Sequence, residues 1–512
     1  MGCSRIKNVW VRAWFLIAGL AALLWFLFRV IPKPSRAAYP CQRAAAPLGS
    51  GFLIWLAGLV STKLLHRRAQ ALAAQCRLAG AVAALTLLVM LLWLPLGAPA
   101  DAAAQQTFTP SDPPNQPIGV AQGIHPGRVV WVRDPAVARW DGKTGNWFDD
   151  ANTDQKVAGD MLSRALRALT GEKTEQRSWE ALFRHFNRTR KLGNRGYRPG
   201  EKVVIKINAN QDGGKPWRPA QGVHSPHLIV SLLEQLTGAA GVAAKDITLY
   251  DATRYIGDPI YNKIRSHPGF DAIAFVVSPS NAGNGRRAAV EDRDQPVRFA
   301  EPGVPAAFLP RVVTEANYLI NFALLRAHTL CGVTLCAKNH FGSTYFPNDG
   351  GWTPRALHAT ASRERAMGSY NSLVDLNGHR HTGGKTMLYL LDALYPAEHQ
   401  SGSVMRFQSF GDDWLASLFV SQDPVAIDSV GLDLLRSEPR ATQVRGNPDN
   451  YLHEAALAAA PPSGTVYDPD GDGTRLASLG VHEHWNNARD KQYSRNLGKG
   501  QGIELVKLGN AN

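Results

Sequence analysis

The first hundred residues of this 512-residue chain contain no aspartate and no glutamate, although they hold eleven lysines and arginines. The whole chain has a formal net charge of +14, and the other 412 residues, with 45 basic and 42 acidic side chains, are close to neutral. Nucleic-acid binding usually needs a basic surface on the folded part of a protein. The charge distribution therefore argues against a nucleic-acid partner.

Cysteine is scarce as well, with five residues, and no pair has the Cys-x-x-Cys spacing. Because iron–sulfur clusters need closely spaced cysteines, no such cluster is expected. Cys331 and Cys336 are predicted to be buried, reduced thiols, since a disulfide between them would need a tight fold-back of the chain. No Gly-x-Ser-x-Gly, P-loop or Gly-x-Gly-x-x-Gly motif follows a predicted strand, so the commonest hydrolase and nucleotide-binding fingerprints are missing.

Three apolar runs, at 13–28, 48–60 and 78–96, alternate with basic clusters. A bilayer is spanned by about 20 apolar residues, so two or three transmembrane helices are predicted, the second run being short. Basic residues are more frequent before the first run and between the second and third, which predicts that these parts are cytoplasmic. We therefore expect residues 1–97 to be a helical membrane module in the bacterial inner membrane, with the main domain on the extracytoplasmic side.

The end of the third run leaves an alternative open. Its sequence LPLGAPADAAAQQ has the small residues of a signal-peptidase site, although the two preceding apolar runs favour an uncleaved anchor. Residues 98–123 are rich in Ala, Gln, Pro and Ser, which predicts a flexible linker. Under both readings the main domain, residues 124–512, is exported.

Strand and helix patterns alternate in this main domain. Apolar strands are predicted at 128–134, 201–210, 246–251, 271–278 and 317–325, with helices between them. One helix is predicted to stop at Gly171, another to start after the cap Ser225, and a third after Asp423. This alternation predicts an α/β fold with a mostly parallel sheet covered by helices.

Polar side chains are concentrated where the predicted strands end. Lys206, Asn208 and Asn210 end one strand, and Asp251 and Arg254 follow the next. A denser group falls within fifteen residues after the strand at 317–325: Arg326, His328, Lys338, Asn339 and His340. We expect these groups to converge on one cleft, because ligands of parallel sheets lie at the carboxyl ends of the strands.

The residue types in this cleft predict an anionic substrate. Ammonium, guanidinium and amide groups donate hydrogen bonds to carboxylates and phosphates, so five side chains are predicted to bind the substrate: Lys206, Asn208, Arg326, Lys338 and Asn339. His328 or His340 is predicted to be the acid–base group. The alternative is a strand end that reaches water, with a polar turn whose histidines bond to neighbouring carbonyls.

Two further features bear on catalysis. Asp428 lies within the apolar pattern of the helix after Asp423, where an unpaired carboxylate is costly, so we expect it to pair with Lys338 and assign it to the catalytic group. His379 and His381 form a His-x-His pair that would bind a divalent metal ion if an aspartate completed the site, and His482 and His484 form a second pair. Because two ligands rarely suffice, the metal remains an open alternative.

The segment YDPDGDG at 467–473 resembles the start of a calcium-binding loop. A leucine, Leu479, stands where such a loop needs a bidentate glutamate, so a polar turn is the favoured interpretation.

Three segments occur together in the chain: VVIKIN, HTLCGVTLCAKNHFG and SQDPVAIDSVGLDLL. They resemble the motifs of the domain of unknown function 362 family. The distal segments YLHEAALAAAPPSGTVYDPDGDG and SLGVHEHWNNARDKQYSRNLGKGQGIELV, with YPCQRAAAP near the N-terminus, resemble a long-form, membrane-anchored bacterial branch. The resemblance covers about residues 125–507 and implies that the cleft residues matter, but the family has no assigned activity. Some members carry ferredoxin-type cysteines, which this chain lacks.

Taken together, these features predict a membrane-anchored extracytoplasmic enzyme that acts on a small anionic substrate. The alternative is a non-catalytic binding or assembly module displayed at the membrane surface.

Overall fold

The computed structural model describes residues 18, 20–25, 27–28 and 113–509. The chain divides into two compact units, Met1–Gln106 and Thr107–Asn512. In the first unit the described residues are helical, and no helix within the described ranges has the length and apolar character of a membrane span. The apolar runs at 48–60 and 78–96, part of the run at 13–28, and residues 98–112 of the predicted linker lie outside the described residues.

The second unit alternates strands and helices, as its sequence predicts. Between residues 113 and 509 its α-helices are α1 (Gln155–Thr170), α2 (Glu175–Thr189), α3 (Pro226–Glu234), α4 (Asp258–Arg265), α5 (Arg311–Thr314), α6 (Cys336–Asn339), α7 (Ser372–Gly378), α8 (Pro424–Arg436) and α9 (Asn450–Ala456). Its strands are β1 (Ile118–Gly119), β2 (Arg128–Arg133), β3 (Val203–Lys206), β4 (Ile247–Asp251), β5 (Ala274–Val277), β6 (Arg287–Ala288), β7 (Glu291–Val297), β8 (Ala307–Pro310), β9 (Tyr318–Leu324), β10 (Arg326–His328), β11 (Gly332–Thr334), β12 (Tyr345–Phe346), β13 (Gly351–Trp352), β14 (Thr386–Ala393), β15 (Ser417–Ser421), β16 (Val481–His482) and β17 (Glu504–Gly509).

Nine of these strands form one central sheet in the order β17-β2-β15-β14-β9-β3-β4-β5-β6. Strand β15 is antiparallel to both of its neighbours, and every other pair in the sheet is parallel. The carboxyl ends of β14, β9, β3 and β4 therefore lie side by side at one edge. The predicted α/β fold with a mostly parallel sheet is confirmed.

The central sheet is buried on both faces, which explains why its strands are continuous apolar runs. On β2, Val130 and Val132 pack in one core with helices α1 to α4, whereas Val129 and Trp131 pack in the other with α6 to α9. Successive side chains of a strand point to opposite faces, so one strand supplies both cores.

The predicted helix ends are also confirmed. Helix α1 ends at Gly171, whose φ of 77° is the left-handed conformation that suits glycine at a helix C-terminus. Ser225 caps α3 by accepting the N–H of Leu228, and Asp423 caps α8 by accepting two backbone N–H groups. These caps fix where α1 ends and where α3 and α8 begin.

Candidate functional site

A cavity of about 240 Å³ lies at the carboxyl ends of β3, β4 and β9. The strand ends contribute Asn208, Asn210, Asp251 and Arg254, and the chain beyond β9 contributes the basic residues Arg326, His328, Lys338 and His358. Its described lining residues are Asn208, Asn210, Asp251, Thr253, Arg254, Arg326, His328, Leu330, Thr334, Lys338, Asn339, Phe341, Gly342, Pro354, His358, Gln400 and Ser401. The structure thus brings the predicted strand-end groups together at one edge.

A short hairpin directly after β9 forms one wall of the cavity. Strands β10 and β11 pair antiparallel, with Arg326 opposite Thr334 and His328 opposite Gly332. The hairpin needs glycine at 332, because φ is 81° there and a Cβ atom would lie 2.4 Å from Cβ of Pro448. Helix α6 follows the hairpin at once and carries Lys338 into the same cavity.

A closed ion pair lies beneath the cavity. The Nζ of the fully buried Lys206 donates to Asp251 Oδ2 at 3.1 Å, to Asn339 Oδ1 at 3.2 Å and to the carbonyl of Ile207. Burial raises the pKa of Asp251, but Lys206 and the N–H groups of Ala209 and Thr253 outweigh burial, so that pKa is lowered overall. Lys206 therefore supports the cavity floor rather than facing a ligand.

Gly342 allows this floor to be so compact. A Cβ atom at this position would lie 2.5 Å from Nζ of Lys206 and 2.8 Å from both carboxylate oxygens of Asp251. The Gly342 carbonyl also accepts the backbone N–H of Ala252 at 2.8 Å. Glycine is required here because any side chain would displace the ion pair.

Three other cations of the cavity have no carboxylate partner among the described residues. Arg326 is fully buried, and it donates to the Gly222 carbonyl at 2.9 Å and to Asn208 Oδ1 at 2.6 Å, while its Nε has no hydrogen-bond partner in the described part of the chain. Burial lowers the pKa of Arg326 to about 9, with Asp251 opposing, so its guanidinium stays charged at neutral pH. Arg254 donates to the carbonyl oxygens of Asn210 and Thr253 and to Asn210 Oδ1.

The third of these cations, Lys338, is buried, and its Nζ lies 4.2 Å from the centre of the Phe341 ring. No hydrogen bond or ion pair of this ammonium group is found within the part of the chain that the structure describes. Among the described lining residues Asp251 is the one carboxylate, and Lys206 already neutralises it. With neutral histidines, Arg254, Arg326 and Lys338 leave the cavity with an excess of positive charge.

The two histidines of the cavity have opposite hydrogen-bonding patterns. Nδ1 of His328 accepts the N–H groups of Leu330 at 3.1 Å and Cys331 at 3.2 Å, so the neutral ring carries its proton on Nε2. Nδ1 of His358 lies 3.0 Å from the Pro354 carbonyl and donates to it, which leaves a lone pair on Nε2. His328 is therefore a donor, and the predicted acid–base role fits His358 better.

Burial, reinforced by the charge of Lys338, keeps both rings neutral. It lowers the pKa of His328 far below its ordinary value and that of His358 to about 4. The two ring centres are 5.8 Å apart. The cavity thus holds one imidazole N–H donor and one imidazole acceptor side by side.

Two of the predicted catalytic residues lie outside the cavity. His340 is fully buried with its Nε2 3.1 Å from Nδ2 of Asn321, and burial lowers its pKa to about 3. Asp428 accepts the backbone N–H groups of Cys336 at 2.8 Å and Ala337 at 2.9 Å and the hydroxyl of Tyr451 at 3.1 Å. The expected pair of Asp428 with Lys338 is therefore wrong.

Asp428 has a positioning role instead. Its two accepted N–H groups are the first two of helix α6, which have no partner within the helix. By holding this first turn, Asp428 fixes the helix from which Lys338 and Asn339 reach the cavity.

The predicted metal ligands also lie away from the cavity. His379 follows helix α7, and its Nε2 lies 3.3 Å from Asp470 Oδ1, while Nε2 of His381 lies 3.2 Å from Gln295 Oε1. Between residues 113 and 509 no group of three or more His, Cys, Asp or Glu side chains is arranged to hold a metal ion. Asp470 contacts His379 as an ion-pair partner, and among the described residues these side chains do not form a metal-binding group with His381.

The other motifs have structural partners. Asp468 accepts the backbone N–H groups of Gly471 and Gly473, and Asp472 pairs with Arg380, as expected for a polar turn. In the second histidine pair, Nδ1 of His482 lies 2.8 Å from Ser429 Oγ, and Nδ1 of His484 lies 2.6 Å from Asp433 Oδ1. The prediction of buried, reduced thiols at the two cysteines after β9 is confirmed.

Five of the site residues predicted from the sequence therefore line the cavity: Asn208, Arg326, His328, Lys338 and Asn339. Three further lining residues were not predicted, His358, Gln400 and Ser401, because they come from irregular segments with no motif. The Gln400 side chain holds the hairpin turn, because its Oε1 accepts the N–H of Thr329 at 2.9 Å and its Nε2 donates to Thr329 Oγ1 at 2.6 Å.

The fold and the cavity define an α/β protein with a cationic cleft at the carboxyl edge of a mostly parallel sheet. Residues 203–433 match the family model described as domain of unknown function (DUF362), which confirms the family resemblance over this segment. All of the cavity lining residues fall inside the matched segment.

A solved structure, the lactate racemase apoprotein from Thermoanaerobacterium thermosaccharolyticum, is similar with 14% identity and a TM-score of 0.23. The similarity covers 46% of this chain and 48% of that chain, so it spans about half of the racemase. Comparison with curated proteins gave no match.

Proposed function

We propose that the cavity binds a small organic anion and that the protein is an enzyme acting on it. The observation that supports this most is the convergence of Arg254, Arg326 and Lys338 on a space whose one described carboxylate, Asp251, is neutralised by Lys206. Burying a cation without a counter-charge is costly. An anionic ligand would remove this cost by supplying the missing charge.

The size and the donors of the cavity narrow the ligand class. Its volume of about 240 Å³ is below the roughly 300–1,000 Å³ typical of pockets for drug-sized ligands, which favours a small molecule. Guanidinium groups such as those of Arg254 and Arg326 suit carboxylate and phosphate oxygens. His328 adds a neutral N–H donor, and the free Nε2 of His358 is suited to accept a proton from a bound substrate.

We extend the proposal to location, with the domain anchored in a bacterial inner membrane and facing the extracytoplasmic side. The support is the absence of acidic residues in the first hundred positions, together with the basic clusters between their apolar runs. The DUF362 domain would then meet substrates outside the cytoplasm.

Calorimetric titration of the full-length protein with inorganic phosphate, acetate and malonate tests the anion site. We expect at least one of these anions to bind, and the variant Arg326→Met to bind it about tenfold or more weakly, equivalent to about 1.4 kcal/mol. Arg265→Met is the matched control, because Arg265 donates to the carbonyls of Phe270 and Ile273 and does not line the cavity.

The proposal fails if none of the three anions binds. It fails equally if Arg326→Met and Arg265→Met both bind the anion as tightly as the wild type. Thermal melts of both variants would show that each is folded under the titration conditions.

A further inference from the structure

Two buried lysines lie next to the cavity, and their surroundings differ sharply. Nζ of Lys206 has three oxygen partners, from Asp251, Asn339 and Ile207. Nζ of Lys338 has an aromatic ring beneath it, that of Phe341, and no hydrogen-bond partner among the described residues. The two amines therefore form a matched pair, one held in an ion pair and one free at the cavity wall.

The surroundings of Lys338 make its ammonium group easier to deprotonate than that of an exposed lysine. Burial lowers the pKa of Lys338, and the charges of Arg326 and Arg254 lower it further, while Cys331 opposes. A neutral primary amine has a lone pair and is a nucleophile, and a desolvated lysine beside other cations is a known way to activate one. Burial lowers the pKa of Lys206 as well, but its ion pair with Asp251 opposes this shift and, unlike the surroundings of Lys338, occupies its N–H groups.

We infer that Lys338 forms a Schiff base with the carbonyl carbon of a small anionic oxo compound, such as a 2-oxo acid, whose anionic group is held by Arg254 and Arg326. This inference rests on the proposed anion site and names the substrate class for it. Arg326 retains its charge at neutral pH, so anion binding does not require Lys338 to be a cation.

The reaction balances with the groups present. The lone pair of Nζ attacks the carbonyl carbon and forms a C–N bond, while the π electrons of C=O move to the oxygen, which takes a proton. The nitrogen then loses its protons, the hydroxyl takes one and leaves as water, and a C=N bond remains. His358 can accept and return a proton through Nε2, and the Nε2–H of His328 is a donor for the developing alkoxide.

Reductive trapping on the full-length protein tests this inference. The protein is incubated with pyruvate and sodium cyanoborohydride, digested, and mapped by mass spectrometry. We expect the reduced adduct at Lys338, absence of an adduct at Lys206, and slower labelling of the exposed Lys202. Excess inorganic phosphate is expected to slow labelling of Lys338 and to leave that of Lys202 unchanged.

Two lysine variants and a carbonyl compound without charge complete the experiment. Lys338→Arg keeps the positive charge but cannot form the imine, so the adduct should be lost, whereas Lys202→Arg should leave it intact. Acetaldehyde, which has no anionic group, should label Lys338 more slowly than pyruvate does.

The outcomes separate this inference from the proposed function. Calorimetric anion binding without any adduct at Lys338 would overturn the Schiff base and leave the anion site standing. Labelling of Lys338 no faster than that of Lys202, or equal labelling by acetaldehyde and pyruvate, would also overturn it. Absence of anion binding in the calorimeter would remove the proposed function itself.

Discussion

Helix α8 and the cavity both contain buried charged groups. Among the described residues, the protein supplies hydrogen-bond or charge partners for the carboxylates of α8 but no free carboxylate for the cations of the cavity. The carboxylates of the α8 N-cap Asp423 and of Asp428 and Asp433 within α8 are all buried. Asp423 accepts backbone N–H groups of α8 and of Val481, Asp428 accepts those of α6, and Asp433 bonds to His484. In the cavity Arg254, Arg326 and Lys338 converge without a free carboxylate among the described lining residues.

This difference shows which buried charges indicate a ligand. A buried carboxylate with several N–H donors is a structural element, because its hydrogen bonds replace those it made with water. A buried cation without a counter-charge keeps the free-energy cost of its lost hydration until a ligand supplies the opposite charge. The missing partner, more than burial itself, distinguishes the cavity from α8.

The largest expected effect comes from breaking the one satisfied pair of the cavity. Asp251→Ala leaves Lys206 buried without its carboxylate, so we expect the free energy of unfolding to fall by about 3–5 kcal/mol. Urea denaturation measures this fall in the free energy of unfolding. The control Glu315→Ala removes a carboxylate that is 53% exposed and pairs with Lys202, which is 57% exposed, so its cost should be about 1 kcal/mol or less.

If the two variants lose similar amounts of stability, the pair of Lys206 and Asp251 is not the buried support that its geometry indicates. In that case Lys206 would be free to act on a ligand, and the comparison between the two buried lysines would be lost.

The two regions are also expected to respond to pH with opposite signs. Burial raises the pKa of Asp428 to about 6, so the folded state holds this proton more tightly than the unfolded state does. The resulting stability is present below about pH 4 and is lost as the pH rises through about 6. Burial lowers the pKa of His358 to about 4, so its folded state holds the proton more weakly, and stability is lost as the pH falls from about 6.5 to about 4.

The variants Asp428→Asn and His358→Gln separate these two contributions. Each unit of pKa difference corresponds to about 1.4 kcal/mol, so each variant should change the stability difference between pH 4 and pH 7 by roughly 1–3 kcal/mol. Asp428→Asn should make stability rise more steeply with pH, and His358→Gln should make it rise less. Parallel pH curves for both variants and the wild type would contradict the opposite-sign account.

The same comparison explains how far the sequence could predict the site. Asn208 and Arg326 were correctly predicted to line the cleft from their positions relative to strand ends, because local apolar patterns set where strands end. Asp428 and Lys338 look alike in sequence, each a charge within an apolar stretch, and only the packing of α8 against α6 gives one its partners. His358 comes from a segment with no periodic pattern, so no sequence rule would have placed it in the cavity.

Lys206 and His340 show a second limit. His340 directly follows the lining residue Asn339, and Lys206 lies two residues before Asn208, yet both are fully buried and absent from the cavity lining. In a short helix a shift of one residue turns a side chain from the cleft to the core, and the strand that would place Lys206 and Asn208 on one face ends at Lys206. The fold class survives such errors, because it depends on the whole alternation of strands and helices and not on one side chain.

The smallest expected effect is a gain of stability at Lys338. Replacing it by methionine removes a buried cation that has no counter-charge within residues 113–509 and keeps an apolar side chain over Phe341, so we expect the free energy of unfolding to rise by about 1 kcal/mol. Lys206→Met is the matched control and should destabilise, because it leaves Asp251 buried without its cation. An anion that binds the folded wild type should raise its melting temperature by mass action, and this rise should be smaller in Lys338→Met. If Lys338→Met instead destabilises as much as Lys206→Met does, Lys338 is part of the scaffold, and the contrast between the satisfied and the unsatisfied lysine no longer holds.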